Sequence, residues 1–174
     1  MAHTGEDRAA FVARFGGIYE HSAWVAKAAW DRVDDPGDLA AVQAAMAACV
    51  DEADDARKLA LVRAHPDLAG RAAVRGGLTR DSGSEQASAG IDQCTPAEYE
   101  RFRQYNAAYR ERFGFPFVMA VRGSNRHAIL AAFEERLKND ADTELQRAMT
   151  EIHKIARLRL EALAESMHGN DADE

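Results

Sequence analysis

Cysteine and proline are scarce in this sequence, two and four among 174 residues, and aromatic side chains make up only 7%. No apolar run is long, and positive charge is in deficit. Each shortage excludes something. A membrane helix needs about 20 consecutive apolar residues, and none of the runs approaches that. The opening MAHTGEDRAAF lacks the basic-then-apolar order of a secretory signal, so a cytoplasmic protein is expected. Cys49 and Cys94 fit no CxxC or zinc-ligand spacing and read as thiols in a reducing compartment. Modest Gly and Pro, with few aromatics, disfavour a sandwich or barrel. A net charge of −7 excludes a broad nucleic-acid surface, which calls for a basic balance or stripe. It leaves room for a small anion held by a few converging arginines.

What the chain does have is alanine and arginine, both good helix formers. The length suits one domain, and the expected fold is all-α: a single-domain bundle of about seven or eight helices over residues 1–166. Residues 167–174, MHGNDADE, form a polar acidic tail that should fray. Helices are expected over 6–15, over HSAWVAKAAWDRV with Ser22 as candidate cap, from Asp38 through DLAAVQAAMAACV, and over 54–63. The last of these must stop at His65-Pro66, because a residue before proline is pushed out of the helical region. TPAE at 95–98 opens a helix running to about Phe113, with Thr95 as cap, Pro96 in the first turn and Glu98 closing a capping box. SNRHAILAAFEERLKN and DTELQRAMTEIHKIARLRLEALAES supply the last two helices. Between them and Phe113, FGFPFVMAVRG has no strand of comparable quality to pair with, so it reads as a buried connector. Its backbone N–H and C=O groups need partners from elsewhere, a polar ligand among the candidates.

Three places carry polar residues where packing alone would not put them. On the helix from Thr95, Asn106 falls within the stripe Tyr99, Phe102, Tyr109, Phe113, and a buried amide there calls for a hydrogen bond, most simply to neighbouring backbone. On the final helix, Leu145, Met149, Ile152, Ala156 and Leu163 share an apolar face. Arg159 lies within roughly 20° of Ile152, whereas Arg157 lies about 140° away. A buried guanidinium keeps its proton, so Arg159 needs an anion, either an internal carboxylate or a bound one. The third place is RAHPDLAGRAAVRGGLTRDSGSEQASAG, where residues 66–82 form the longest irregular segment and SEQ opens a short helix. Here Pro66 stiffens the chain beside His65, whose imidazole titrates near neutrality. Ser82 and Glu85 fit an S-x-x-E capping box, Gln86 adds donors, and Arg71, Arg75 and Arg80 precede them. The other histidines, His21, His127 and His153 at surface or boundary positions and His3 and His168 in the tails, form no HExxH pair or ligand cluster.

Taken in order, FGGIYEHSAWVAKAAW, AHPDLAG, LTRDSGSEQASAG, YNAAYRERFGFPF and EIHKIARLRL resemble the 2-oxo-4-hydroxy-4-carboxy-5-ureidoimidazoline (OHCU) decarboxylases of uric acid breakdown over nearly the whole chain. The resemblance implies an all-helical, usually homodimeric lyase, with neither metal nor organic cofactor, that converts OHCU to (S)-allantoin. It also implies a functional link to urate oxidase and 5-hydroxyisourate hydrolase. Carried onto this chain, His65 and Glu85 are the expected catalytic residues. Pro66, Ser82, Gln86, the backbone of Val118, Met119, Ala120 and Val121, and Arg159 are the expected substrate contacts. GRAAVRGG matches less well, which leaves Arg71 and Arg75 without a role. Isoleucine in AGID replaces a frequent leucine, a matter of packing.

Losing carbon dioxide leaves electron density on the ring, which fixed hydrogen-bond donors stabilise and one proton then quenches. His65 is expected to move protons, Glu85 to orient it or hold ureido N–H groups, and Arg159 to hold a carboxylate or carbonyl oxygen. Two other readings remain at this level: a helical binding module whose polar residues are structural, and a hydrolase of a related ureido compound.

Overall fold

The computed structural model describes residues 5–70 and 78–170. Among them are eight α-helices and no strand, the all-α architecture read from the sequence. The chain divides into two compact units, with boundaries between Ala64 and His65 and between Ile152 and His153. None of the helices, among the described residues, is long and apolar enough to cross a membrane.

The first unit contains α1 (Gly5–Phe15), α2 (Trp24–Ala29) with a 3-10 turn (Trp30–Arg32), α3 (Leu39–Asp51), α4 (Asp55–Arg63) and the later part of α8 (Ala141–Asn170). Asp38 and Asp54 cap α3 and α4 by accepting from Ala41 N–H at 3.1 Å and Arg57 N–H at 2.8 Å. Each cap satisfies a donor that the helix leaves orphaned, typically worth about 1 kcal/mol. Ser22 does not cap α2: its buried hydroxyl donates to the carbonyl of Glu20 at 2.8 Å, and Ala23 occupies the cap position without a side-chain bond. Burial explains the difference, because a hydroxyl shut away from water takes the acceptor within reach. Phe11 packs on Phe15 and Trp30, with ring centroids 4.8 and 5.2 Å apart, and α8 adds Ile155, Ala156 and Leu160 to this core.

The second unit holds α5 (Arg80–Ser88), a 3-10 turn (Ile91–Gln93), α6 (Pro96–Phe113), α7 (Arg126–Arg136) and α8 up to Ile152. The capping box on α6 is complete. Thr95 Oγ1 accepts from Glu98 N–H at 3.2 Å, and Glu98 Oε1 accepts from Thr95 N–H at 2.9 Å. Gly114, at φ +77°, ends α6 in the left-handed conformation that a residue without Cβ adopts freely. The connector after it is irregular, as expected, and delivers Phe117 into the core, stacked on Phe133 at 3.8 Å and edge-on to Tyr109 at 5.4 Å.

The buried stripe of α8 differs from the expected one. Leu145, Met149 and Leu163 are half-buried, while Glu144, Ala148, Glu151, Ile155 and Arg159 are buried together with Ile152 and Ala156. The face is turned toward the carboxylates because both have partners inside the protein. The helix continues to Asn170, beyond the start of the expected tail at residue 167, and residues 171–174 lie outside the described residues.

Candidate active site

α4 stops at Arg63, with Ala64 as its C-terminal cap residue, and the chain turns at His65-Pro66. His65 is buried at 7% exposure, and Pro66 is half-buried. The turn that follows is fastened by three side chains. Gln86 Oε1 accepts from Ala69 N–H at 3.1 Å and its Nε2 donates to the carbonyl of Asp67 at 3.4 Å. Asn106 Nδ2 donates to the carbonyl of Leu68 at 2.9 Å, the backbone bond expected for a buried amide in that stripe. Arg110 holds the Asp67 carboxylate through Nε at 3.0 Å and Nη2 at 2.8 Å. This grip sustains a left-handed φ of +52° at Ala69, a conformation that costs an L residue roughly 1–2 kcal/mol. Such strain persists only where the surroundings over-determine it.

Helix α5 presents the SEQ motif. Ser82 and Glu85 do not form a capping box: the cap is Thr79, whose hydroxyl accepts from Ser82 N–H at 3.2 Å, so Ser82 lies within the first turn. Threonine three residues earlier competes for the same role, and its extended backbone fits the cap position. The shift frees Ser82 for a different position: it and Gln86 lie one turn apart on the buried face of α5, with Glu85 half-buried beside them. Pro66 and Gln86 also line a cavity of about 1560 Å³, whose walls include Leu78, Gly83, Tyr99 and Asn106. Gln86 retains one amide hydrogen and a lone pair beyond its two bonds to the turn. Arg80 is exposed on the cavity wall, whereas Arg71 and Arg75 lie outside the described residues.

The connector is held from α7 and α8. Arg136 Nη1 donates to the carbonyl of Val118 at 2.7 Å, and Glu151 Oε2 accepts from Ala120 N–H at 3.1 Å. Val118 and Val121 are buried, Met119 and Ala120 half-buried. Arg136 is itself held by Glu144, Nε to Oε1 at 2.8 Å, with side chains 5% and 0% exposed. Tyr109 donates to the same carboxylate oxygen at 2.8 Å; burial, then this bond, pushes its phenol well above the ordinary tyrosine range. Sequence reasoning overlooked Asp67, Arg110, Arg136, Glu144 and Glu151. The available signal was the spacing of Glu144 and Glu151, close to two whole turns apart on one helix.

Arg159 belongs to the first unit. It is buried at 6% exposure, and its Nη2 lies 2.7 Å from Glu20 Oε2, a carboxylate equally shut from solvent. Its Nη1 donates toward the carbonyls of Gly17 at 3.3 Å and Ile18 at 3.5 Å. The inward arginine inferred from helical spacing therefore has an internal carboxylate, the first of the two partners considered for it. His153, in the same unit, bridges Tyr19 Oη and Asp51 Oδ1, each at 2.9 Å.

Comparison with known proteins agrees with the motifs. The family model for OHCU decarboxylase matches residues 5–161. The 2-oxo-4-hydroxy-4-carboxy-5-ureidoimidazoline decarboxylase of Haloferax volcanii is 46% identical over 159 residues, covering 88% of this chain and 89% of that protein. The uric acid degradation bifunctional protein PucL of Bacillus subtilis is 38% identical over 147 residues, 83% of this chain and 28% of that protein. A crystal structure of (S)-allantoin synthase superposes with a TM-score of 0.70 at 35% identity. It covers 90% of this chain, which spans 50% of the solved one.

Proposed function

The chain belongs to the OHCU decarboxylase family, and we propose that it acts as a carboxy-lyase on OHCU, giving (S)-allantoin in uric acid degradation, with His65 and Glu85 as its catalytic pair. The observation that carries this reading is the turn at His65. Three side chains hold the chain at residues 67–69, directly after His65, whose imidazole is buried at 7% exposure, and Pro66 next to it lines the cavity together with Gln86. A packing histidine does not call for such bracing, while a proton carrier does, since misplacement by about 1 Å can cost 100-fold in rate.

In the proposed reaction the bond from ring carbon to carboxylate breaks, carbon dioxide leaves, and the electron pair delocalises over the heterocycle. His65 takes the hydroxyl proton and returns a proton to one face of the ring, which sets the S configuration; overall, one proton is taken up per carboxylate lost. Glu85 orients His65 or receives the ureido N–H groups. Ser82, Gln86 and the backbone of residues 118–121 fix the heterocycle, and Pro66 shapes the wall against it. For Arg159 the support is its place in the terminal EIHKIARLRL motif, where it would hold a carboxylate or carbonyl oxygen; Glu20 already balances it within its own unit. The chain works without cofactor, as a homodimer in the cytoplasm. The free thiols of Cys49 and Cys94 support a reducing compartment, and the urate-degrading relative PucL supports a link to the enzymes that supply OHCU.

The test is to generate OHCU in solution and follow the circular dichroism of emerging allantoin. The wild-type chain should accelerate one-handed product, and His65→Asn should lower kcat by about 100-fold or more with an unchanged thermal midpoint. Near-normal turnover by that variant would refute the assignment.

A further inference from the structure

Residues 118–121 were expected to meet the substrate as a group, yet the structure divides them. Val118 C=O and Ala120 N–H are both taken: the first by Arg136 Nη1 at 2.7 Å, the second by Glu151 Oε2 at 3.1 Å. The N–H groups of Met119 and Val121 have no hydrogen-bond partner among the described residues, and Val121 is buried at 4% exposure. An unpaired N–H in a buried backbone is rare and costly, and a ligand oxygen is the natural way to satisfy it.

Glu151 is an unusual choice if packing were its only task. Its side chain is 3% exposed, and desolvating a carboxylate costs several kcal/mol that a leucine in its place would not. Arg147 meets its other oxygen at 2.9 Å, which balances the charge but leaves Oε2 for the connector. What a carboxylate does here that leucine cannot is accept from the N–H of Ala120 in the middle of the connector.

We infer that Glu151 is a positioning residue for decarboxylation: by holding Ala120 N–H, it fixes the connector so that the N–H groups of Met119 and Val121 are kept for the substrate, as donors to its carbonyl or carboxylate oxygens. The inference rests on the decarboxylase reading and deepens it, dividing the connector into two substrate donors and one anchored residue. Arg136, through Val118, holds the same connector.

The test uses the full chain and (S)-allantoin as probe. In amide-resolved NMR of the wild type, allantoin should shift the Met119 and Val121 resonances and leave Ala120 nearly still. Glu151→Leu keeps the volume and removes the acceptor. It should speed hydrogen exchange at Ala120, abolish the Met119 and Val121 shifts and lower kcat by about tenfold or more. Glu151→Gln keeps an acceptor oxygen and should restore most of the rate and the shifts, with or without Arg147→Met, since a neutral amide needs no counter-charge. Allantoin shifts and kcat in Glu151→Leu equal to wild type would overturn the inference while the decarboxylase reading stood. A wild type that neither binds allantoin nor decarboxylates OHCU would overturn that reading first, and the proposal with it. If Glu151→Leu does not fold, Glu151→Gln carries the test through the exchange rate at Ala120, and an unchanged rate there together with lost activity would also count against Glu151 as the anchor.

Discussion

Two buried arginines, Arg159 in the first unit and Arg136 in the second, are built alike and leave different things undone. Each pairs with a carboxylate shut from solvent, Glu20 and Glu144, and each donates to the carbonyls of an irregular segment, Gly17 and Ile18 in one case and Val118 in the other. The stretch around Gly17 closes on its own turn bonds, Ile18 N–H to Phe15 and Ser22 N–H to Tyr19. The connector beyond Val118 makes few such bonds, and Arg136 itself keeps a buried Nη2 without a hydrogen-bond partner. An inward arginine thus says that irregular backbone is being held, and the state of that backbone says whether something else is meant to dock there.

The likeness is broken most severely by Arg136→Met. Glu144, with its side chain 0% exposed, would be left as a buried charge, and the loss should be about 3–5 kcal/mol in urea unfolding. Arg136→Met combined with Glu144→Gln should recover much of it. Next comes the double variant Arg159→Met with Glu20→Gln, which removes both charges together and should cost less than either single change. If Arg159 also holds substrate, this variant should keep its fold yet show a KM raised about tenfold, equivalent to about 1.4 kcal/mol. An unchanged KM would make Arg159 a purely internal cation and sharpen the contrast with the second unit. Smaller is Thr79→Ala, which removes the cap of α5 and should cost about 1 kcal/mol; kcat should fall with it, since α5 carries Glu85 and Gln86. The smallest effect concerns pH. The N–H of Thr95, with Arg126, holds the Glu98 carboxyl below its ordinary range. Its contribution should therefore be full above the ordinary glutamate value and vanish as pH falls through the depressed one. Glu98→Gln should flatten the acid limb of a stability–pH curve by slightly lowering the neutral plateau, and leave the acid end nearly unchanged.

Local signals were legible in the sequence and long-range ones were not. Thr95 with Glu98, Asp38, and the stop at His65-Pro66 act within a few residues, so their types and spacing suffice. The S-x-x-E pattern at Ser82 misled because Thr79 offers the same chemistry three residues earlier, and choosing between them depends on where α5 begins. The inward turn of Arg159 was readable from helical phase, but its partner sits 139 residues away and no local rule points to Glu20. Glu144 and Glu151 were placed outside the apolar stripe by residue type alone. What buries them is Tyr109, 35 residues distant, and the backbone of Ala120, 31 residues distant.

Ala69 carries a practical lesson for anyone who would make this protein hardier. Glycine at that position would relax the turn beside the imidazole and should raise the melting temperature, since the left-handed conformation burdens alanine and not glycine. The same relaxation would let the imidazole wander, so heat resistance and turnover are set against each other at this one methyl group.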